Sequence, residues 1–157
     1  MGQATPATQA LLRAGIAFSV HAYDYDPAAD RIGLAAAEAL GEPPVHVLKT
    51  LMTLVDGRAV VAVLRSDATV AMKALAAAAG GRAAAMMPPA DAERATGYKV
   101  GGISPLGQRR PAPVILDADA AALPFAYVNA GRRGLQVRLA PADLIRATQA
   151  TVAAITA

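Results

Sequence analysis

Four glycines and a proline fall within the twelve residues 96–107, Thr-Gly-Tyr-Lys-Val-Gly-Gly-Ile-Ser-Pro-Leu-Gly. That density excludes a helix interior and makes a poor strand, because glycine is needed where the backbone takes positive φ or where another group must approach it closely. Apolar residues at Val100, Ile103 and Leu106 give the segment anchors, so it reads as a shaped loop. Such a loop serves either as a connector or as the wall of a site that recognises a small group through backbone N–H and C=O.

The other residue types limit the chemistry. The 157-residue chain has no cysteine, which removes disulfides, thiolate metal sites and a cysteine nucleophile together. Its histidines are His21 and His46, with no HxH or HxxxH spacing, so neither a metal nor another cofactor is expected. Length predicts one domain over 1–157. The N-terminus lacks a basic n-region and a continuous apolar h-region, and no apolar run approaches the roughly 18 residues of a membrane span. The expectation is a cytoplasmic protein.

Charge is distributed unevenly. Residues 1–93 carry seven basic and nine acidic side chains, residues 94–157 eight basic and three acidic. Twelve of the fifteen basic residues are arginine, including the pairs Arg109-Arg110 and Arg132-Arg133. Guanidinium binds phosphate oxygens in bidentate fashion, so arginine clustered near a glycine-rich loop suits RNA or a nucleotide. A membrane or DNA partner is not expected.

Along the chain, Thr5-Pro6 predicts a helix stopped by Gly15, then a strand over 16–23 and a loop through Pro27. Asp30 is placed as the cap of a helix running to Leu40 and stopped by Gly41. Residues 49–55 and 58–64 are apolar runs joined by Asp56-Gly57, which predicts a β-hairpin with a type I′ turn. A helix is expected over 69–79, a short strand over 83–86 and a helix over 89–95. Beyond the glycine loop come strands over 113–116, 125–129 and 135–139, with residues 131–134 as a tight basic turn. A final helix from Pro141 is expected to bury Leu144, Ile145, Thr148, Val152 and Ile155 along one stripe. Strands and short helices in this irregular order predict an α+β fold with a mixed, curved sheet.

The glycine segment, Thr-Gly-Tyr-x-Val-Gly-Gly-Ile-Ser-Pro-Leu-Gly-Gln over 96–108, strongly resembles the signature of the YbaK/EbsC family, free-standing relatives of the editing domain of bacterial prolyl-tRNA synthetases. The resemblance extends to Lys49-Thr50-Leu51, to His21-Ala22-Tyr23-x-x-Asp26-Pro27, to Gly131-x-Arg133-Gly134-Leu135 and to Asp143-Leu144, in order over essentially the whole chain. It implies a barrel-like mixed sheet surrounded by short helices, and a trans-editing deacylase that cleaves a mischarged amino acid, cysteine on tRNA(Pro) foremost. It also implies binding of the 3′ end of an aminoacyl-tRNA and association with prolyl-tRNA synthetase. Other occupants of the fold are a deacylase of Ala-tRNA(Pro) and a non-catalytic module that binds RNA or a synthetase. Two departures bear on which amino acid is accepted. Leu48 stands before the lysine where some members have an aromatic residue, and Asn129-Ala130-Gly131 stands where the YbaK branch often has Ser-Gly-Gly.

The resemblance assigns the site residue by residue. Lys49, which alone reads as a lysine snorkelling from a strand end, becomes a cation for developing oxyanion charge or for the terminal adenosine. Gly101 shares the catalytic role, and Gly102, Ile103, Ser104 and Pro105 complete a Gly-x-x-x-Pro substrate loop. Tyr23, Thr50 and Asn129 are placed in the pocket, Tyr23 reading equally well as a half-buried strand tyrosine. An aminoacyl ester is already activated, so cleavage needs positioning and charge stabilisation more than an enzyme nucleophile. The resemblance implies that the cysteinyl thiol attacks its own ester; attack by water is the other route. His21 reads as structural, and His46 is expected in an exposed turn.

Overall fold

A computed structural model describes residues 4–29 and 31–157. Helix α1 (Pro6–Arg13) begins at a reciprocal cap: Thr8 N–H donates to the Thr5 hydroxyl oxygen, and Thr5 N–H donates to that of Thr8. Proline at the first helical position gives up no hydrogen bond. Helix α2 (Ile32–Leu40) ends at Gly41 in the left-handed conformation, as expected; the capping role given to Asp30 lies outside the described residues.

The central hairpin has the predicted form. Strands β2 (Leu48–Val55) and β3 (Arg58–Arg65) pair from Leu48 opposite Arg65 to Val55 opposite Arg58. Asp56 and Gly57 have φ of +50° and +81°, the two positive values a type I′ turn demands. The Asp56 carboxylate accepts from the N–H groups of Arg82 and Ala83, steering the chain into edge strand β4 (Ala84–Met86), which pairs with β2. Strand β3 also pairs in parallel with β5 (Val114–Asp117), and β5 with β8 (Thr151–Ala153). The resulting order is β4-β2-β3-β5-β8. Residues 60–64 of β3 are buried without interruption, as a strand covered on both faces requires.

A second, antiparallel sheet has the order β1-β7-β6, from β1 (Ser19–Ala22), β6 (Ala126–Arg132) and β7 (Leu135–Leu139). A parallel bridge from Val47 to Tyr127 joins the sheets. The sheets are curved and remain two, so the barrel-like expectation is met in curvature and not in closure. Between them lies the main core, with Leu48, Met52, Val61 and Val63 facing Val128, Leu135, Val137 and Leu139, and with Ala7 and Leu11 of α1 at one side. Val60, Ala62 and Ile115 pack on the opposite face beneath Leu75 of α3 (Met72–Ala78) and Ile155.

Three expectations need correction, and one element lies outside them. The helix expected over 69–79 shortens to α3, because Val70 bridges Thr156 and Ala71 N–H donates to the Ile155 carbonyl. The last helix, α6 (Pro141–Thr148), ends at Gln149 in the left-handed conformation, and the chain turns back as β8. Val152 is therefore an exposed strand residue, and Ile155 fills the second core cluster. A short helix, α5 (Ala118–Ala121), follows β5, capped by the Asp117 carboxylate on the Asp119 N–H. The basic turn narrows to Arg133-Gly134, since β6 runs on to Arg132 through a bulge between Asn129 and Arg132.

Candidate active site

The glycine loop leaves α4 (Pro89–Thr96) through Gly97, whose φ of +79° turns the chain out of the helix. Tyr98 then drops into the core, and its hydroxyl donates to the Leu106 carbonyl at 2.6 Å, closing the loop across its base. Burial pushes the Tyr98 phenol up to about 12. Ser104 is fully buried; its Oγ accepts from Leu106 N–H and its carbonyl from Gln108 Nε2, so it shapes the loop from behind.

The front of the loop is fastened to the β6–β7 hairpin. Asn129 Nδ2 donates to the Gly101 carbonyl at 3.3 Å, while its Oδ1 accepts from Gly131 and Arg132 N–H across the bulge. Arg133 Nε donates to the Val100 carbonyl at 2.9 Å, and its guanidinium sits 5.4 Å from the Tyr25 ring centre. Glu93 accepts from Val100 N–H. Glycine is required at two points of this contact. At Gly101, φ +90°, an added Cβ would lie 2.4 Å from the Tyr25 hydroxyl; at Gly102 it would lie 2.7 Å from the Arg133 nitrogen. Gly102 N–H is spent on the Lys99 carbonyl. Among the described residues, the N–H groups of Gly101 and Ile103 donate to no protein acceptor.

Opposite the loop stands β2. A cavity of about 350 Å³ between them is lined by Lys49 and Thr50 of β2, Gly101 and Ile103 of the loop, and Asn129 and Gln136 of the second sheet. Its volume falls in the range of about 300–1,000 Å³ usual for small-molecule sites. The rest of the lining is apolar and includes Met52, Met86, Met87 and Val100, with Ile32 and Gly33 from the start of α2. Gly33 lets that helix approach: an added Cβ would lie 2.8 Å from the Ser66 Cβ and 3.9 Å from the Lys49 Cβ.

Lys49 is the cavity's cation. Among the described residues no carboxylate lies within ion-pair distance of it. Burial lowers its pKa, the neighbouring Arg31 lowers it further, and Asp67 acts in the opposite direction. Thr50 Oγ1 and Gln136 Oε1 are buried with no hydrogen-bond partner among the described residues. A buried polar atom left unpaired costs about 1–3 kcal/mol, so Thr50 Oγ1 is a group a ligand would satisfy, while the Gln136 side chain also faces the Tyr23 hydroxyl.

The expected site residues therefore divide by position. Lys49, Thr50, Gly101, Ile103 and Asn129 converge on one cavity, whereas Gly102, Ser104 and Pro105 are buried in the loop outside its lining. Tyr23 lines a neighbouring cavity of about 290 Å³ with Asp24, Tyr25, Asp26 and Glu38, and Ile32 and Ala36 of α2 border both spaces. The buried Tyr23 hydroxyl faces the Gln136 side chain without closing a well-formed hydrogen bond, and burial raises its pKa. His21 stays outside the cavity, with Nε2 2.7 Å from Ser19 Oγ and its ring against Tyr127. His46 is half-buried between Glu42 and Phe125, contrary to the exposed position expected, because the 3₁₀ turn of Pro44–His46 folds it onto the second sheet. Among the described residues no group of three His, Asp or Glu side chains is arranged to hold a metal, and no helix is long and apolar enough to cross a membrane.

Two contributors escaped the sequence reading. Tyr25, set between Gly101 and Arg133, lies in a loop whose local sequence carries no signal for that contact. Gln136 carries a signal that was available: a polar residue between Leu135 and Val137 in an otherwise buried strand, itself only 4% exposed.

Comparison with known proteins identifies the family and the fold. The model of the aminoacyl-tRNA editing domain matches residues 26–147. The chain is 36% identical over 123 residues to EbsC of Enterococcus faecalis, provisionally named a Cys-tRNA(Pro)/Cys-tRNA(Cys) deacylase, spanning 78% of this chain and 75% of EbsC. Among solved structures, a provisionally assigned trans-editing enzyme for prolyl-tRNA synthetase superimposes with a TM-score of 0.83 at 24% identity, over 100% of this chain and 98% of that one. The hypothetical protein APE2540 superimposes with a TM-score of 0.87 at 21% identity, over 98% and 100%. Those two likenesses establish the fold, and the match over most of the sequence establishes the family: this chain belongs to the aminoacyl-tRNA editing domain family.

Proposed function

We propose that this editing domain acts in trans, in the cytoplasm, on mischarged tRNA(Pro), and that cysteine is the amino acid it removes. The observation that carries the reading is that Lys49, with no ion-pair partner among the described residues, lines a cavity of small-molecule size together with Gly101 and Ile103, whose amides donate to no acceptor among the described residues. Charge that develops on the ester carbonyl oxygen is stabilised by such a cation and such amides, which need no reorganisation as the reaction proceeds. Thr50, Gln136 and Asn129 supply hydrogen bonds to the aminoacyl group and the terminal ribose. The methionine-rich side of the cavity takes the amino-acid side chain.

No protein nucleophile is required. The cysteinyl thiol, giving up its proton, attacks the carbonyl carbon; a C–S bond forms, the C–O bond to the ribose breaks, and the proton ends on the ribose oxygen. Cysteine leaves as a cyclic thioester and the tRNA regains its 3′ hydroxyl. A water attacking in place of the thiol yields the free amino acid. The name carried by EbsC supports cysteine as the substrate, and the fold shared with the trans-editing enzyme is compatible with a synthetase partner that supplies tRNA identity.

The test is a deacylation panel of Cys-, Ala-, Ser- and Pro-tRNA(Pro), with wild type and Lys49→Ala. Cys-tRNA(Pro) is expected to be cleaved fastest, and Lys49→Ala to abolish turnover while retaining the fold. Preference for Ala-tRNA(Pro) would reassign the substrate. No turnover of any ester would favour a binding module.

A further inference from the structure

We infer that the substrate RNA lays its phosphodiester backbone along a ridge beside the cavity, held by Lys99, Arg109, Arg110 and Arg132, while the adjacent Arg133 serves the glycine loop and not the RNA. The inference rests on the editing reading above. The folded chain gathers these five cations from three segments. Arg109 N–H donates to the Thr96 carbonyl and Arg110 N–H to that of Ala95, setting the first pair against the end of α4. The Arg109 guanidine lies 3.4 Å from where a Cβ on Gly97 would stand, two residues from Lys99. The backbone of Arg132 and Arg133 packs against Gly102, and Gly102 N–H is bonded to the Lys99 carbonyl. One continuous surface thus runs from the end of α4 over the glycine loop to the β6–β7 turn, and Val100, Gly101 and Ile103 of that loop line the cavity.

The surface is electrostatically open. Lys99, Arg109, Arg110 and Arg132 are exposed, and among the described residues none has a carboxylate within ion-pair distance. The acids on α4 are already engaged, Asp91 with Arg94 and Glu93 with the Val100 amide. Arg133 differs from its neighbour because its Nε is spent on Val100 and its plane rests over Tyr25. Exposed cations with no ion-pair partner among the described residues, carried on segments that border the cavity, fit phosphates spaced along the strand that leads into it.

Two probes separate the roles: an uncharged tRNA(Pro) transcript, titrated by fluorescence anisotropy over a salt series, and cysteinyl-adenosine, an ester with no stem. For the variant Arg109→Gln/Arg110→Gln/Arg132→Gln, tRNA affinity is expected to fall at least about tenfold, and the slope of log K against log salt to flatten by about 0.7–0.9 per arginine engaged. Its cleavage of cysteinyl-adenosine should stay within about twofold of wild type. Arg133→Gln should do the reverse, keeping the salt slope and slowing the stemless ester about tenfold by releasing Val100. Arg58→Gln/Arg82→Gln, which removes two positive charges against the ridge variant's three and does so at the far end of the hairpin, should alter neither. Wild-type salt dependence in the triple variant, or an equal flattening in the Arg58/Arg82 control, overturns the ridge. Failure of every protein, wild type included, to cleave both cysteinyl-adenosine and the Cys-tRNA(Pro) of the deacylation panel overturns the editing reading, while the titrations still decide the ridge.

Discussion

The two glycines at the front of the loop differ in what opposes a side chain, and that difference yields a prediction with an internal control. At Gly101 an alanine meets backbone strain and the Tyr25 hydroxyl, 2.4 Å from its Cβ. A non-glycine residue held at this φ costs about 1–3 kcal/mol. Displacing Tyr25 forfeits its contact with Arg133, worth about 0.5–1 kcal/mol at an exposed position. If turnover requires the loop in this shape, every 1.4 kcal/mol is about a tenfold loss, so kcat/KM for Cys-tRNA(Pro) should fall by on the order of 10- to 10³-fold. Tyr25→Phe removes the atom at 2.4 Å but leaves ring carbons at 3.1 and 3.2 Å, so the double variant Gly101→Ala/Tyr25→Phe should recover only part of the loss. At Gly102 the obstacles are the backbone of Arg132 and Arg133 at 2.7–3.2 Å, which no side-chain substitution can move. Gly102→Ala should therefore lift the loop off the hairpin, breaking the Asn129 and Arg133 hydrogen bonds at about 0.5–1.5 kcal/mol each, and Tyr25→Phe should rescue nothing. Initial deacylation rates, with thermal unfolding to confirm the fold, decide the matter. Unchanged turnover in Gly101→Ala, or equal rescue of both alanines by Tyr25→Phe, would refute the reasoning.

Other perturbations test separate parts of the molecule. Because Lys49 is pushed below the usual lysine value of 10.5, its charged form is disfavoured in the folded state at neutral pH and the penalty fades as pH rises. Lys49→Met should then raise the melting temperature at pH 7 while removing turnover, and wild-type activity should decline with pH through a value lower than that of free lysine; a lowered melting temperature would contradict the assignment. Tyr98 is protonated in the fold up to about 12 against 10.0 for an ordinary phenol, so its contribution, on the order of 3 kcal/mol, is present below pH 10 and lost as pH rises from 10 to 12. Urea unfolding across that window should show the loss in wild type and a flatter profile in Tyr98→Phe. Asp117, 1% exposed, accepts from the N–H groups of Asp119 and Ile155, so Asp117→Ala should destabilise by about 2–4 kcal/mol in urea unfolding without altering the cavity.

Local rules carried the sequence reading where chemistry acts over a few residues. The Asp56-Gly57 turn, the Thr5-Pro6 cap and the Gly41 stop each depend on neighbours in sequence, and all three appear as expected. The reading failed where distant segments decide. Residues 151–155 have apolar positions that fit a helix stripe, but β5 offers a parallel edge, and Thr151 and Val152 suit a strand once that edge exists. The site divides the same way. Lys49-Thr50 and the glycine loop were visible as motifs. The roles of Tyr25 and Gln136 depend on how the second sheet meets α2 and the loop, and no short stretch of sequence encodes that meeting.

The loop's attachment to the β6–β7 backbone separates two tasks that a small pocket must otherwise balance. On the proposed reading, the ester-facing wall takes its shape from behind, where a Cβ on Gly102 would meet the backbone of Arg132 and Arg133 and one on Gly131 the ring of Tyr98. The methionine-rich wall, which the proposed function gives to the amino-acid side chain, comes from other peptides: Met52 on β2, Met86 on the short edge strand β4, and Met87, whose N–H is bonded to the Met52 carbonyl. Methionine is unbranched and adapts to irregular gaps, and β4 is held by three residue pairs at the sheet's rim. On the proposed reading, which acyl group is accepted is thus written largely on a different part of the chain from how its ester is held, and Met86 and Met87 are the positions to exchange to change substrate range, because Met52 Sδ also accepts from Gln108 Nε2 of the loop.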